Sequence, residues 1–165
     1  MLHGVVAALA LGLVMTLGDF AWAALRIHHR VLNGVVHGAV MCLCLGLAIG
    51  IRARRPVLAA LVGPLIGVAA AATFYLLAPA LRWSAMLPAW MLLWILFAFL
   101  QRWLRKNESL GQAALRGVVA AVLSGAAFYL ISDIWIHESR YPNMGIHFAA
   151  WSFAFAPGFI ALFRN

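Results

Sequence analysis

The chain alternates between long apolar stretches and short breaks that hold most of its charged residues. Each of six runs is about 20 residues long, which lets a helix cross the roughly 30 Å hydrocarbon core of a bilayer. Because backbone groups in lipid must pair internally and no run alternates like a strand, the runs predict helices. They extend over about 4–25, 31–51, 57–80, 85–104, 114–136 and 146–163.

Composition agrees with this pattern. Of the 165 residues, 66% are hydrophobic and 10% are charged, whereas a soluble domain carries about 25% charged residues. We therefore predict an all-α polytopic membrane protein with a single transmembrane domain, residues 1–165. The net charge of +8 lies in the breaks, where topology and anionic lipid headgroups account for it. The predicted partner is the lipid bilayer and not nucleic acid.

The cations also predict an orientation. Lys and Arg are concentrated in the second and fourth breaks and the tail, and this excess predicts cytoplasmic termini in a bacterial-type inner or plasma membrane. The longest break, residues 101–116, predicts an amphipathic connector. The cations predicted to be cytoplasmic are Arg52, Arg54, Arg55, Arg102, Arg105, Lys106, Arg116 and Arg164, and those on the other side are Arg26, Arg30, Arg82 and Arg140.

Two breaks on the extracytoplasmic side repeat one polar string, Arg-x2-Asn-x3-His. Such self-similarity predicts a duplication. We expect three helical hairpins of the same orientation, at about 1–55, 56–107 and 113–165, forming a six-helix bundle. The middle hairpin keeps only the arginine of the string, Arg82. The two complete copies are Arg30, Asn33 and His37, and Arg140, Asn143 and His147.

Two aspartates fall inside apolar runs, where an unpaired charge is costly and therefore a candidate for function. Asp19 lies far into the first run, and Asp133 occupies the matching place in the fifth. The purely structural alternative is that they pair with nearby arginines such as Arg30 and Arg140 and fix the helix packing.

The asparagines and histidines of the repeated string have predicted local roles. Asn33 and Asn143 each precede a returning helix, where Asn is a favoured N-cap. His37 and His147 would lie one turn further in. There an imidazole can pack, hydrogen-bond across helices, ligate a metal or relay a proton.

Three chemistries fit these residues. The leading one is an anion or polar-headgroup site, in which Arg30, Arg82 and Arg140 surround a pocket and helix N-termini contribute positive dipole ends. In this hypothesis, Asp19 and Asp133 orient the arginines.

The second and third chemistries use the histidines as ligands. Asp19, Asp133, His37 and His147 are ligand types suited to Zn²⁺ or another divalent ion, although the tight spacing of a metal motif is absent. The two histidines could also hold a haem as its axial ligands. The cofactor therefore remains open.

Two further patterns predict packing. Several tryptophans mark an aromatic belt at the membrane interfaces, among them Trp22, Trp83, Trp135 and Trp151. Small residues spaced four apart predict close helix contacts, as in Gly4, Ala8 and Gly12, and in Gly117, Ala121 and Gly125.

The leading function is binding, and by extension transport, of a small solute or ion, an anionic one if the arginines hold it. No nucleophile–base pair is recognisable, so an enzyme is not the favoured class. The alternatives are an accessory subunit beside other membrane subunits, and a metal- or haem-binding membrane enzyme. The candidate ligand-binding residues are Asp19, Arg30, Asn33, His37, Arg82, Asp133, Arg140, Asn143 and His147.

Overall fold

The computed structural model describes residues 2–25, 29–106, 108–137 and 143–164, without the side chains of residue 30 and residues 132–137. Within these ranges all regular secondary structure is helical, which confirms the all-α prediction for this part of the chain. The α-helices are α1 (Leu2–Ala24), α2 (Arg30–Arg52), α3 (Pro56–Leu81), α4 (Met86–Arg105), α5 (Leu110–His137) and α6 (Met144–Phe163), and a 3₁₀ helix (Arg82–Ala85) joins α3 to α4.

Five helical segments in the described ranges are long and apolar enough to cross a membrane, as the membrane class requires. One of them, Pro56–Arg105, comprises 50 residues because the 3₁₀ helix leaves no gap between α3 and α4. A straight helix of that length would measure about 75 Å, more than twice the hydrocarbon thickness. Instead α3 packs against α4, and the backbone breaks at Arg82, where φ is 52° and ψ is −131°. The chain therefore turns back at the 3₁₀ helix.

The break between α4 and α5 is shorter than predicted. Because α4 continues to Arg105 and α5 begins at Leu110, the prediction of a connector over residues 101–116 was wrong. A capping box starts α5. The Ser109 hydroxyl accepts the Gln112 N–H at 3.2 Å, and the Gln112 side-chain oxygen accepts the Ser109 N–H at 3.0 Å.

The start of α2 also differs from the prediction. Asn33 is not its N-cap, because the helix begins at Arg30 and the cap is His29, whose Nδ1 accepts a backbone N–H of the first turn at 3.1 Å. Asn33 thus lies inside the helix, in its first turn. Asn143 does cap α6, accepting two backbone N–H groups at 2.9 Å and 3.3 Å.

The helices pack in chain order, each against the next, and α6 closes the ring by packing against α1. Among these neighbouring pairs, contact is sparsest between α1 and α2 and most extensive between α2 and α3. Any ring of helices in chain order has these neighbours, so the three hairpins of the same orientation stay a prediction. The internal repeat itself remains a prediction.

The α2–α3 contact is a seam of small residues at intervals of four along both helices. Such a spacing places one small residue per turn on the same face, which lets two backbones approach closely. A Cβ added to Gly63 would meet the carbonyl oxygen of Cys42, and one added to Gly46 would meet that of Ala59. The seam consists of Gly38, Cys42, Gly46 and Gly50 on α2, and of Ala59, Gly63, Gly67 and Ala71 on α3.

Glycines at the other predicted close-packing positions also face neighbouring helices. A Cβ on Gly4 would lie 3.2 Å from the backbone nitrogen of Ile160, so α1 and α6 are in near backbone contact. A Cβ on Gly117 would lie 2.9 Å from Cα of Ile95, which brings α5 equally close to α4.

Side chains from three helices cap the last carbonyls of α6. Arg52 donates to the Phe163 carbonyl at 2.9 Å, and Gln101 and Arg116 donate to the Leu162 carbonyl at 2.8 Å and 3.3 Å. Positive charge at a helix C-terminus interacts favourably with the negative end of the helix dipole. We call this part of the bundle the arginine-rich end, and it carries Arg52, Arg54, Arg55, Arg102, Arg105, Lys106, Arg116 and Arg164.

Candidate functional site

The opposite end of the bundle, here called the histidine end, brings together polar side chains from three helices that are far apart in sequence. Asp19 comes from the last two turns of α1 and His37 from the second turn of α2. His147 and Trp151 come from the first two turns of α6. Because they are four residues apart, these two side chains share a face of α6.

The Asp19 carboxylate lies between the other three side chains. The Trp151 indole N–H donates to Asp19 Oδ2 at 2.8 Å. His37 Nδ1 lies 3.6 Å from Asp19 Oδ1, and His147 Nδ1 lies 3.8 Å from Oδ2. At these separations the imidazoles form ion pairs with the carboxylate when they are protonated. The three predicted residues Asp19, His37 and His147 are thus brought to one point.

Burial makes these contacts stronger than surface contacts. The side chains of Asp19 and His37 are 25% and 23% exposed, and that of His147 is 10% exposed. A carboxylate in such surroundings needs partners, because removing a charge from water is costly. The indole hydrogen bond and the imidazoles supply them, and a ligand with positive charge would supply another.

Aromatic rings enclose the polar group. The His147 ring meets Phe20 edge-on at 5.4 Å between centroids, and the His37 ring lies 5.8 Å from Trp151. Trp151 stacks on Phe155 at 5.6 Å. These rings form an aromatic wall beside the polar group.

A second tryptophan extends this aromatic wall and has its own polar contact satisfied. Trp90 stacks on Phe155 and on Phe128, at 5.7 Å and 4.9 Å between centroids. Its indole N–H donates to the buried Ser124 hydroxyl at 3.0 Å, and that hydroxyl donates to the Ala154 carbonyl. The hydrogen bond and the two stacked rings therefore fix the orientation of the Trp90 indole.

Asp19 and His37 border a cavity of about 410 Å³ inside the ring of helices, which we call the site cavity. Its lining extends along α3 from Gly67 to Tyr75, a length of about 12 Å at the helical rise. The Tyr75 hydroxyl packs directly against Gly34 of α2. Most of the other lining side chains are apolar or aromatic, including Met41, Phe74, Trp83, Met86, Trp90 and Leu93.

The other predicted site residues are distributed as follows. Asn33 lines the site cavity, whereas Asn143 caps α6 and is exposed. Arg82 is exposed and does not line the cavity. The side chains of Arg30 and Asp133 and the whole of Arg140 lie outside the described residues.

The cofactor hypotheses depend on how the histidines are placed. In the described part of the chain, no group of three or more His, Cys, Asp or Glu side chains is arranged to hold a metal ion. Both Nδ1 atoms face the carboxylate of Asp19 from within 4 Å.

Sequence reasoning missed several residues of this site. Trp151 was assigned to the aromatic belt, but it is buried and donates to Asp19. Its spacing of four from His147 was the available signal. Tyr75 and Trp90 carried no signal, because an aromatic residue in an apolar run does not show which way it faces.

The comparisons with known proteins agree on one result: the chain matches no protein-family model, no curated protein and no solved structure.

Proposed function

We propose that this chain is an integral membrane protein of six transmembrane helices that binds a small solute in the site cavity, entered from the extracytoplasmic side. The bound solute has a mostly apolar body and one cationic or N–H-donating group. The observation that carries this proposal is the placement of the Asp19 carboxylate at the edge of a largely apolar cavity.

Charge in the site cavity favours this class of solute. Among the described residues that line it, Asp19 is the one side chain from the Asp, Glu, Lys and Arg set. A carboxylate attracts a cation and repels an anion, and the repulsion grows where water is scarce. Phe74, Trp83 and Trp90 also line the cavity, and an aromatic ring stabilises a cation over its face by about 0.5–2 kcal/mol.

An anionic solute would need the arginine ring predicted from the repeated string. Arg82 is exposed and does not line the cavity, so its position does not support binding of an anionic solute. We keep the anion as the competing outcome of the binding experiment below.

The turn at the 3₁₀ helix and the distribution of cations support six spans with cytoplasmic termini. A cysteine introduced at Ser84, in that turn, is expected to react with a membrane-impermeant maleimide in intact cells. A cysteine at Ser109, between α4 and α5, is expected to react only after permeabilisation. The native Cys42 is buried and Cys44 half-buried, so the parent chain gives the background. Equal labelling of both positions before permeabilisation would contradict this topology.

A pair of probes of similar shape and opposite charge tests the solute class. Benzyltrimethylammonium is expected to bind the detergent-solubilised protein, measured by calorimetry, at least tenfold more tightly than phenylacetate. Tighter binding of phenylacetate would favour the anionic alternative and overturn ours. Uptake of the bound probe by proteoliposomes would extend the function from binding to transport.

Filling the site cavity with a larger side chain tests whether the probe binds there, and a variant on the same helix serves as the matched control. Ala70 lines the cavity and is buried, whereas Ala72 on the same helix is exposed. Ala70→Phe is expected to lower the affinity for the cationic probe at least tenfold because the ring occupies the space of the ligand. Ala72→Phe is expected to leave it unchanged. Equal affinities in the two variants would place binding elsewhere.

A further inference from the structure

A second concave surface lies between α5 and α6 and has a different chemistry from the site cavity. This α5–α6 groove has a volume of about 900 Å³. Its walls are mostly apolar side chains, and several of them are exposed in the bundle, as expected for a surface that faces lipid. The apolar lining includes Leu115, Val119, Leu123, Phe153, Ala156 and Ile160.

The length of the groove matches one leaflet of a bilayer. Its lining extends along α5 from Gln112 to Leu123, and along α6 from Phe153 to Arg164, the residue that follows this helix. Each stretch advances eleven residues, or about 16 Å at the helical rise. Half of the hydrocarbon core measures about 15 Å. One acyl chain of a single leaflet therefore fits along the groove.

Among the described residues that line this groove, the cations lie at one end. Arg105, Arg116 and Arg164 line the groove there, together with Glu108. Arg116 lies 3.2 Å from the Glu108 carboxylate and donates to a carbonyl of α6, so its charge is largely balanced. The other two cations of the groove are Arg105, at the end of α4, and the exposed Arg164, after α6. We assign these two guanidinium groups to the lipid headgroup.

We infer that the α5–α6 groove is a binding site for one anionic phospholipid of the leaflet at the arginine-rich end. An acyl chain lies along α5 and α6, and the headgroup phosphate pairs with Arg105 and Arg164. Arginine suits this role because its planar guanidinium binds phosphate oxygens through two hydrogen bonds. This inference is independent of the solute proposed for the site cavity.

Native mass spectrometry of the detergent-solubilised protein tests the inference with phosphatidylglycerol and phosphatidylcholine as probes. The parent chain is expected to retain one phosphatidylglycerol in preference to phosphatidylcholine. The double variant Arg105→Gln, Arg164→Gln is expected to weaken retention of phosphatidylglycerol by about 25-fold. The reason is that each cation near the surface contributes a factor of about five.

The matched control removes two other arginines from the same end. Arg54 and Arg55 lie in the turn between α2 and α3, away from the groove, and Arg54→Gln, Arg55→Gln is expected to change retention by less than threefold. Equal losses in the two double variants, or no preference for phosphatidylglycerol in the parent, would overturn the site. Displacement of the lipid by millimolar inorganic phosphate would do so as well, since it would show that the apolar groove contributes nothing.

Discussion

Replacing Asp19 with asparagine is expected to weaken binding of benzyltrimethylammonium by at least about 30-fold. Removing one member of a buried charge pair costs about 2 kcal/mol or more. Asparagine has nearly the same shape as aspartate, and its side-chain oxygen can still accept the Trp151 N–H that now reaches Asp19 at 2.8 Å. The substitution therefore removes the charge and leaves the local packing in place.

The control for this variant is Thr73→Val. The Thr73 hydroxyl donates to the Ala69 carbonyl of its own helix at 2.9 Å and does not line the site cavity. Calorimetry on the two variants should show a loss of affinity in Asp19→Asn alone. Unchanged affinity in Asp19→Asn would show that the carboxylate is not the recognition group.

Replacing Gly63 with leucine is expected to destabilise the bundle by about 3 kcal/mol or more. A Cβ at this position would meet the Cys42 carbonyl, and the next nearest atom is Cα of Leu43 at 3.2 Å. Both belong to the backbone of α2, so no rotamer change can make room. Overpacking of this kind costs about 1–3 kcal/mol even where side chains can yield. The two helices must separate along their whole seam.

The measurement is the unfolding midpoint in mixed micelles titrated with denaturing detergent, followed by helical circular dichroism. Ala72→Leu serves as the control, because it enlarges an exposed residue on the same helix. Its unfolding midpoint is expected to equal that of the parent chain. A Gly63→Leu variant as stable as the parent would show that α2 and α3 are not packed backbone to backbone.

The helical class could be predicted because lipid leaves a backbone few choices. An apolar run of about 20 residues must pair its own backbone groups, and it does so as a helix whatever its neighbours are. Helix ends were less predictable. The connector over residues 101–116 was drawn from charge density, whereas the capping box of Ser109 and Gln112 starts α5 well inside it.

The candidate site, like the helices, could be predicted from the sequence only in part. Asp19, His37 and His147 could be selected from sequence because charge and imidazole in an apolar run are costly and therefore conspicuous. Arg82 was selected by the same repeat, yet it is exposed in the described structure. A repeated sequence pattern predicts the position of a residue along its helix but not the direction in which its side chain points.

What the sequence by itself determined is the set of helices, the end of the bundle that carries most of the described charges, and the few described side chains costly enough to require partners. These are local properties, fixed by hydropathy and by backbone hydrogen bonding within each segment. Only the tertiary structure decided that Trp151 donates to Asp19 and that α1, α2 and α6 supply one site. The reason is that rotation of each helix about its own axis is set by contacts with its neighbours, such as the small-residue seam of α2 and α3.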